Sequence, residues 1–303
     1  MEGYINNKGF VGLKLAIGTA QFGLPYGVAN KSGQMSISEG GLLLDAAKGF
    51  GINTLDTAIA YGVSEQRLGK IGVANWRIIS KLPAVPDPKS CPNKKKWIFE
   101  EINQSINRLK VDSLYGLLLH RPQQLLEDGG DEIYSALQQL KADGLVHKIG
   151  VSIYEPSELD ALYESYKFDI VQSPFNIFDR RLLSSGWLSK LHKDNVEVHV
   201  RSVFLQGLLL MKKKEIPSKF NHWSSVFDSW YKFLDDQQIS SLEACLKYTL
   251  SFSEISNVIV GLDNLTQLHE VVEASQGLIP LLPNDFQFND TDLINPASWS
   301  KLN

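Results

Sequence analysis

Cysteine is almost absent from this chain of 303 residues, which has two, Cys91 and Cys245. Neither lies in a CxxC spacing or beside a histidine at ligand spacing, so no metal site and no disulfide framework are expected, and a reducing cytoplasm fits best. Long apolar runs are lacking too. None approaches the roughly 20 residues that a membrane span requires, and the first residues show no charged-then-apolar signal pattern, so a soluble protein with no membrane partner is expected. An excess of one charge is also missing. Lys and Arg number 30 against 34 Asp and Glu, a formal net charge of -4, which leaves no electrostatic footprint for a nucleic-acid partner. The basic runs Lys94–Lys96 and Lys212–Lys214 are short and sit beside loop residues, which reads as a solvated face. A dinucleotide-binding GxGxxG turn is absent as well. The first strand-like run leads into Gly18-Thr19-Ala20-Gln21-Phe22-Gly23, which does not supply the turn that a Rossmann fold would place there.

What is present is a rhythm. Short runs rich in Leu, Val and Ile recur, each followed by a turn and then by apolar residues at helical spacing, the signature of repeated βα units. Eight runs can be read: Leu15–Gly18, Ile52–Leu55, Trp76–Ser80, Leu114–Leu118, His147–Val151, Asp169–Gln172, Val196–Val200 and Asn257–Val260. Helix starts lie between them. Ser36 and Ser38 precede Glu39–Phe50, Pro156 with Ser157 opens Glu158–Tyr166, and Asn264 precedes Leu265–Ala274. Eight strands alternating with helices over about 250 residues is the size of one α/β (β/α)8 TIM barrel. No Pro/Gly/Ser-rich linker divides the chain, so a single domain over 1–303 is expected, with the barrel at about 14–275 and a tail at 276–303. Two segments, Leu208–Asp228 and Gln276–Asn303, read as irregular.

In such barrels the reacting groups sit where strands end and the following loops begin. Three strands finish on ionisable residues. The second run leads to Asp56 with Tyr61 in the loop beyond, the third ends in Lys81, and the fourth ends in His120. Each alone also has a structural explanation: a turn cap, an aromatic lid, an exposed strand end, a satisfied histidine. Together they make a proton-transfer device. A phenol is a poor acid near neutrality, and the Lys81 ammonium would favour its phenolate. Asp56 would keep that lysine charged, and His120 would orient a carbonyl oxygen or share the transfer.

The stretch Asp56-Thr57-Ala58-Ile59-Ala60-Tyr61-Gly62, followed by Ser64-Glu65 and Leu68-Gly69, resembles the signature of the aldo-keto reductases. Ser80-Lys81 and Leu119-His120 fall on the matching later strands, and the resemblance runs from about Leu15 to Ala274. It implies an enzyme that transfers a hydride between NADP or NAD and a small carbonyl or alcohol, including sugar-like carbonyls. Tyr61 is then the general acid/base, Lys81 its partner, Asp56 the counter-ion of Lys81, and His120 a carbonyl-binding group. It also implies that the dinucleotide lies extended across the barrel mouth. Gly18, Thr19 and Gln21 would lie under its nicotinamide end, and Ser152 with Gln172 would bind the carboxamide. The chain departs from the family pattern after Ser152, where Ile153 replaces the usual Asn. It departs again at Arg201, which stands where many relatives stack an aromatic ring on the nicotinamide. Ser202, Phe204, Gln206 and Gly207 continue that stretch. Gly261, Asp263, Gln267 and Glu270 match the adenosine-phosphate clamp, although Gly207 and Gly261 also read as simple turn glycines. No Lys or Arg lies between Gly261 and Glu270, and Asp263 favours a free ribose 2′-hydroxyl, so NAD is set against the family's habit of NADP.

Two other readings keep the barrel. One makes Lys81 a Schiff-base nucleophile of a lyase; the other is a non-catalytic nucleotide-binding regulatory or scaffold subunit. Phe220, Trp223 and Phe227 in the irregular Leu208–Asp228 segment would wall a substrate site or form a small core of their own. Substrate, reaction direction and oligomeric state are not legible.

Overall fold

Unbroken Leu, Val and Ile runs need burial on both faces, and the chain provides it by closing its strands into a ring covered by helices. The computed structural model describes residues 14–25, 27, 33–87, 91–277 and 286–302. Eight parallel strands form a closed barrel in chain order: β1 (Leu15–Gly18), β2 (Thr54–Asp56), β3 (Arg77–Leu82), β4 (Leu114–Leu119), β5 (Val146–Ser152), β6 (Ile170–Pro174), β7 (Glu197–Arg201) and β8 (Ile255–Gly261). Most strand ends lie one or two residues beyond those read from the sequence. Lys81 therefore sits inside β3 rather than after it.

Helices alternate with these strands, and their starts follow local chemistry. Ile37–Gly49 opens with a capping box: the Ser36 hydroxyl accepts from the Glu39 N–H at 3.2 Å, and the Glu39 carboxylate accepts from the Ser36 N–H at 3.0 Å. Leu265–Ala274 is capped by Asn264, whose carbonyl accepts from the Gln267 N–H. At Glu158–Ser165 the Ser157 side chain does not cap. The Glu158 carboxylate folds back instead and takes the N–H groups of Tyr154 and Glu155 at 2.7 and 2.8 Å, which fixes the loop after β5.

Side chains alternate across a strand, so each strand sends every second residue into the barrel. Ile79, Leu118 and Ile170 form one buried apolar cluster, and Gly116 leaves room for it, since a Cβ there would stand 2.7 Å from Ile170 Cδ1 and 2.8 Å from Ile79 Cδ1. Two residues further along the same strands come Lys81, His120 and Gln172. The apolar layer is thus the floor on which the polar residues stand.

Three expectations are corrected. The Leu208–Asp228 segment is largely ordered into elements: after a kinked turn at Leu205–Leu210, short 3-10 turns at Lys213–Glu215 and Ser218–Trp223 run into the helix Ser224–Gln237. Its aromatics turn inward. Phe220 packs edge-on against Trp299, Trp223 donates its indole N–H to Asp290, and Phe227 lies against Phe178, so they form core and not a substrate wall. In the tail, residues 278–285 and 303 lie outside the described residues, while Thr291–Ile294 and Pro296–Lys301 are helical and bury Leu293, Ile294 and Trp299. Lys94 is likewise not part of a solvated face, because its ammonium is tucked against the Asp128 carbonyl at 2.7 Å.

Candidate active site

The strand ends on the helix-start side of the barrel surround a cleft of about 450 Å³. Asp56 closes β2, Lys81 projects from β3 and His120 follows β4; Tyr61 comes from the loop after β2. That loop is held by main-chain bonds from Thr57 N–H to Ile79 O at 2.8 Å and from Ile59 N–H to Lys81 O at 3.2 Å. It also packs directly on Gly23. A Cβ at Gly23 would fall 1.7 Å from the Tyr61 carbonyl oxygen, so only glycine lets the segment after β1 approach the loop that carries Tyr61. Behind the loop, the buried Glu65 carboxylate collects the hydroxyls of Ser80 and Ser105 and the guanidinium of Arg108, which ties the following helix to β3.

Lys81 is 1% exposed, and its ammonium donates to Asp56 Oδ1 at 2.6 Å and to the Thr57 carbonyl at 2.8 Å. Burial by itself would lower its pKa, but the Asp56 carboxylate, by charge and by hydrogen bond, outweighs it with help from Tyr61 when that group is ionised, and the amine is held above its ordinary value. The lysine is therefore cationic. Its Nζ lies 5.2 Å from the Tyr61 ring centroid, and the Tyr61 and His120 rings meet edge to face at 6.1 Å. His120 is driven the other way, down to about 4, by burial first and then by the cations of Lys81 and Arg201, against the pull of Asp56. Its imidazole is neutral across the physiological range, able to donate from one nitrogen and accept at the other.

Asp56 has a second partner that the sequence did not reveal. Gln172, on the far side of the ring, donates its amide N–H to Asp56 Oδ2 at 2.7 Å, and Ser152 donates to Gln172 Oε1 at 3.3 Å. The pair read as a carboxamide-binding device is thus also a brace for the Lys81 counter-ion. Ser152 is buried behind Gln172 and does not line the cleft.

The structure brings together the other predicted positions. Asp56, Tyr61 and His120 line the cleft, as do Gly18, Thr19, Gln21, Gln172, Arg201, Ser202, Phe204, Gln206, Gly207, Gly261, Asp263, Gln267 and Glu270. Lys81 lies beneath this surface, reached through Asp56. Gly261 lets the Gln21 side chain lie close to β8, since a Cβ there would stand 2.5 Å from the Gln21 amide nitrogen and would move that side chain. The turn after β7 is unusual: Ser202, Leu205, Gln206 and Gly207 all have positive φ, of 60°, 48°, 52° and 91°. Left-handed backbone at three non-glycine residues is costly and clusters at ligand-binding sites. Sequence reasoning missed further lining residues, Tyr154, Val203, Leu210 and Leu242 among them, which carry no motif. Arg201 pairs with no carboxylate among the described residues. Its guanidinium lies 4.7 Å over the Tyr154 ring and donates to the Ile153 carbonyl at 3.0 Å.

The cleft suits an extended dinucleotide by its donor set. Amide and hydroxyl groups of Gln21, Gln172, Ser202, Gln206 and Gln267 line it, and the carboxylates of Asp263 and Glu270 stand at the β8 turn and its helix, where ribose hydroxyls would find acceptors. Asp263 accepts from the Gln267 amide at 3.5 Å and gives its N–H to the Gln267 carbonyl at 2.8 Å.

Comparison with known proteins gives the family. The model of the Aldo/keto reductase family matches residues 14–287, and the chain belongs to that family. It is 27% identical over 252 residues to the uncharacterized oxidoreductase YqkF of Bacillus subtilis (strain 168), covering 77% of this chain and 81% of that protein. It is also 23% identical over 312 residues to a D-threo-aldose 1-dehydrogenase of a Pseudomonas species, covering 88% of this chain and 92% of that protein. Among solved structures, an aldo-keto reductase of Bacillus halodurans in its holo form superposes with a TM-score of 0.70 at 22% identity, over 88% of each chain. That likeness is one of fold. The class defined by family, barrel and relatives is oxidoreductase.

Proposed function

We propose that this chain, as a single barrel domain, reduces a small aldehyde or ketone with a nicotinamide dinucleotide, or runs the reverse oxidation, with Tyr61 as general acid/base. The observation that carries the reading is the buried Lys81–Asp56 pair lying beneath Tyr61, with the Lys81 Nζ 5.2 Å from the Tyr61 ring centroid and His120 edge-on to the same ring. A bound nicotinamide supplies or accepts the hydride. The protein's part is the proton. As hydride reaches a carbonyl carbon, negative charge gathers on the oxygen, and Tyr61 gives that oxygen its proton while the Lys81 cation stabilises the phenolate left behind. Asp56 keeps Lys81 charged, Gln172 keeps Asp56 in place, and neutral His120 donates a hydrogen bond that aligns the substrate oxygen. Gly18, Thr19, Gln21 and Gln172 would hold the nicotinamide end, with Arg201 beside it, and Ser202, Phe204, Gln206 and Gly207 with Gly261, Asp263, Gln267 and Glu270 would line the rest. The carboxylates at the β8 turn favour NAD(H), whose 2′-hydroxyl can donate to them.

A lyase reading asks Lys81 to be a neutral nucleophile, and its paired, cationic state argues against that. A purely nucleotide-binding role would leave the proton-transfer cluster without a use. Tyr61→Phe tests the proposal: turnover of a panel of aldehydes should fall by roughly 10²-fold or more, while NADH and NADPH affinities measured by fluorescence titration stay nearly unchanged. Near-normal turnover in that variant would end the mechanism.

A further inference from the structure

Arg201 ends β7 at the cleft, and its position is fixed from three sides. The guanidinium rests on the Tyr154 ring, one Nη donates to the Ile153 carbonyl, and the other reaches the Ser202 hydroxyl at 3.4 Å. Tyr154 is itself anchored, through its N–H on the Glu158 carboxylate and its carbonyl on Arg181. Two of the five N–H groups of a guanidinium are spent this way, and Arg201 forms no ion pair among the described residues. The charge balance at the reacting end follows. Lys81 and Asp56 cancel, His120 is neutral, and Arg201 remains as an unmatched cation. Its field reaches His120 and Lys81, so it stands within range of the groups that would handle a substrate oxygen. Val203, Phe204, Leu210 and Leu242 line the same cleft, and such apolar surface screens a charge less than open solvent does. A held, half-buried guanidinium with donors to spare is the arrangement that recognises carboxylate and phosphate oxygens.

We propose that Arg201 makes this site selective for carbonyl substrates that carry an anionic oxygen group, a carboxylate or a phosphate, over neutral carbonyls of the same size. The proposal rests on the reductase reading, and the test separates the two. Two matched pairs of substrates are assayed with NADH and NADPH: succinic semialdehyde against butanal, and glyceraldehyde 3-phosphate against glyceraldehyde. At least one pair should show kcat/KM about tenfold to a hundredfold higher for the anionic member, the range of one charge-assisted hydrogen bond; the pair that shows it identifies the group. Arg201→Gln should bring that ratio close to one, and Arg201→Lys should retain part of it. A second readout needs neither variant nor turnover. Calorimetric titration of the wild-type protein, with and without saturating nucleotide, should show binding of succinate or inorganic phosphate and none of the neutral succinamide. Equal kcat/KM within both pairs, a preference that survives Arg201→Gln, or an Arg201→Gln protein that loses nucleotide affinity with its substrate ratio intact would each overturn the proposal. If no carbonyl is reduced at all, the reductase reading falls, and the calorimetry still decides whether the cleft holds an anion.

Discussion

Removing the Lys81 ammonium while leaving its carboxylate partner is the perturbation whose consequences the structure defines most closely. In Lys81→Met the Asp56 carboxylate, 4% exposed, keeps the Gln172 amide but loses its only cation among the described residues. Breaking a buried pair from one side costs about 3–5 kcal/mol, because an uncompensated charge stays in a low-dielectric site. For a chain of this size each kcal/mol moves the melting temperature by roughly 2 °C, so the variant should melt roughly 6–10 °C lower. The double variant Lys81→Met with Asp56→Asn removes both charges. The amide that replaces the carboxylate still accepts from Gln172, so most of the lost stability should return, while carbonyl reduction stays abolished because nothing remains to stabilise the phenolate. Differential scanning calorimetry of wild type, both single variants and the double variant, with aldehyde turnover measured beside it, separates structural from catalytic loss. A Lys81→Met protein that melts like wild type, or a double variant no more stable than that single one, would refute the buried-pair reasoning. Recovery of activity in the double variant would refute the catalytic role.

His120 should titrate near 4 when followed by NMR, because burial, Lys81 and Arg201 all disfavour its proton; a midpoint near the ordinary 6.5 would refute this. The sign for stability follows: the unfolded chain takes up that proton below about 6.5 and the folded chain only near 4, so His120 costs stability as pH falls through this window and nothing above it. Asp263→Arg should move nucleotide preference toward NADPH by about tenfold to a hundredfold, since a phosphate would meet a charge-assisted donor in place of a carboxylate. Parallel NADH and NADPH titrations check this, and wild-type protein that binds NADPH more than about tenfold tighter would refute the inference from Asp263.

Much of the fold was legible because strand and helix periods are local. All eight strands were found, and the Ser36 and Asn264 helix starts declared themselves through side chains that cap three residues on. Strand ends were less exact, as at Lys81, because a polar residue inside a barrel strand looks like the end of one. Asp56 with Tyr61, Lys81 and His120 could be placed together since they follow three apolar runs at the same end of their βα units. The Gln172–Asp56 bond spans 116 positions, and nothing near either residue signals it. Leu208–Asp228 misled for a related reason. Its aromatics are partnered by Phe178, Asp290 and Trp299, remote in sequence, so composition left a substrate wall and a small local core both open where tertiary packing joined them to the rest of the core.

The bond between Gln172 and Asp56 also bears on how the enzyme comes into being. All four residues assigned to proton transfer lie on the first four strands or just after them, yet the carboxylate that keeps Lys81 charged is braced from the sixth. A nascent chain that has folded only its first half owns the reacting groups but not their alignment. Alignment of the groups proposed to transfer the proton thus depends on β6, a strand from the second half of the chain.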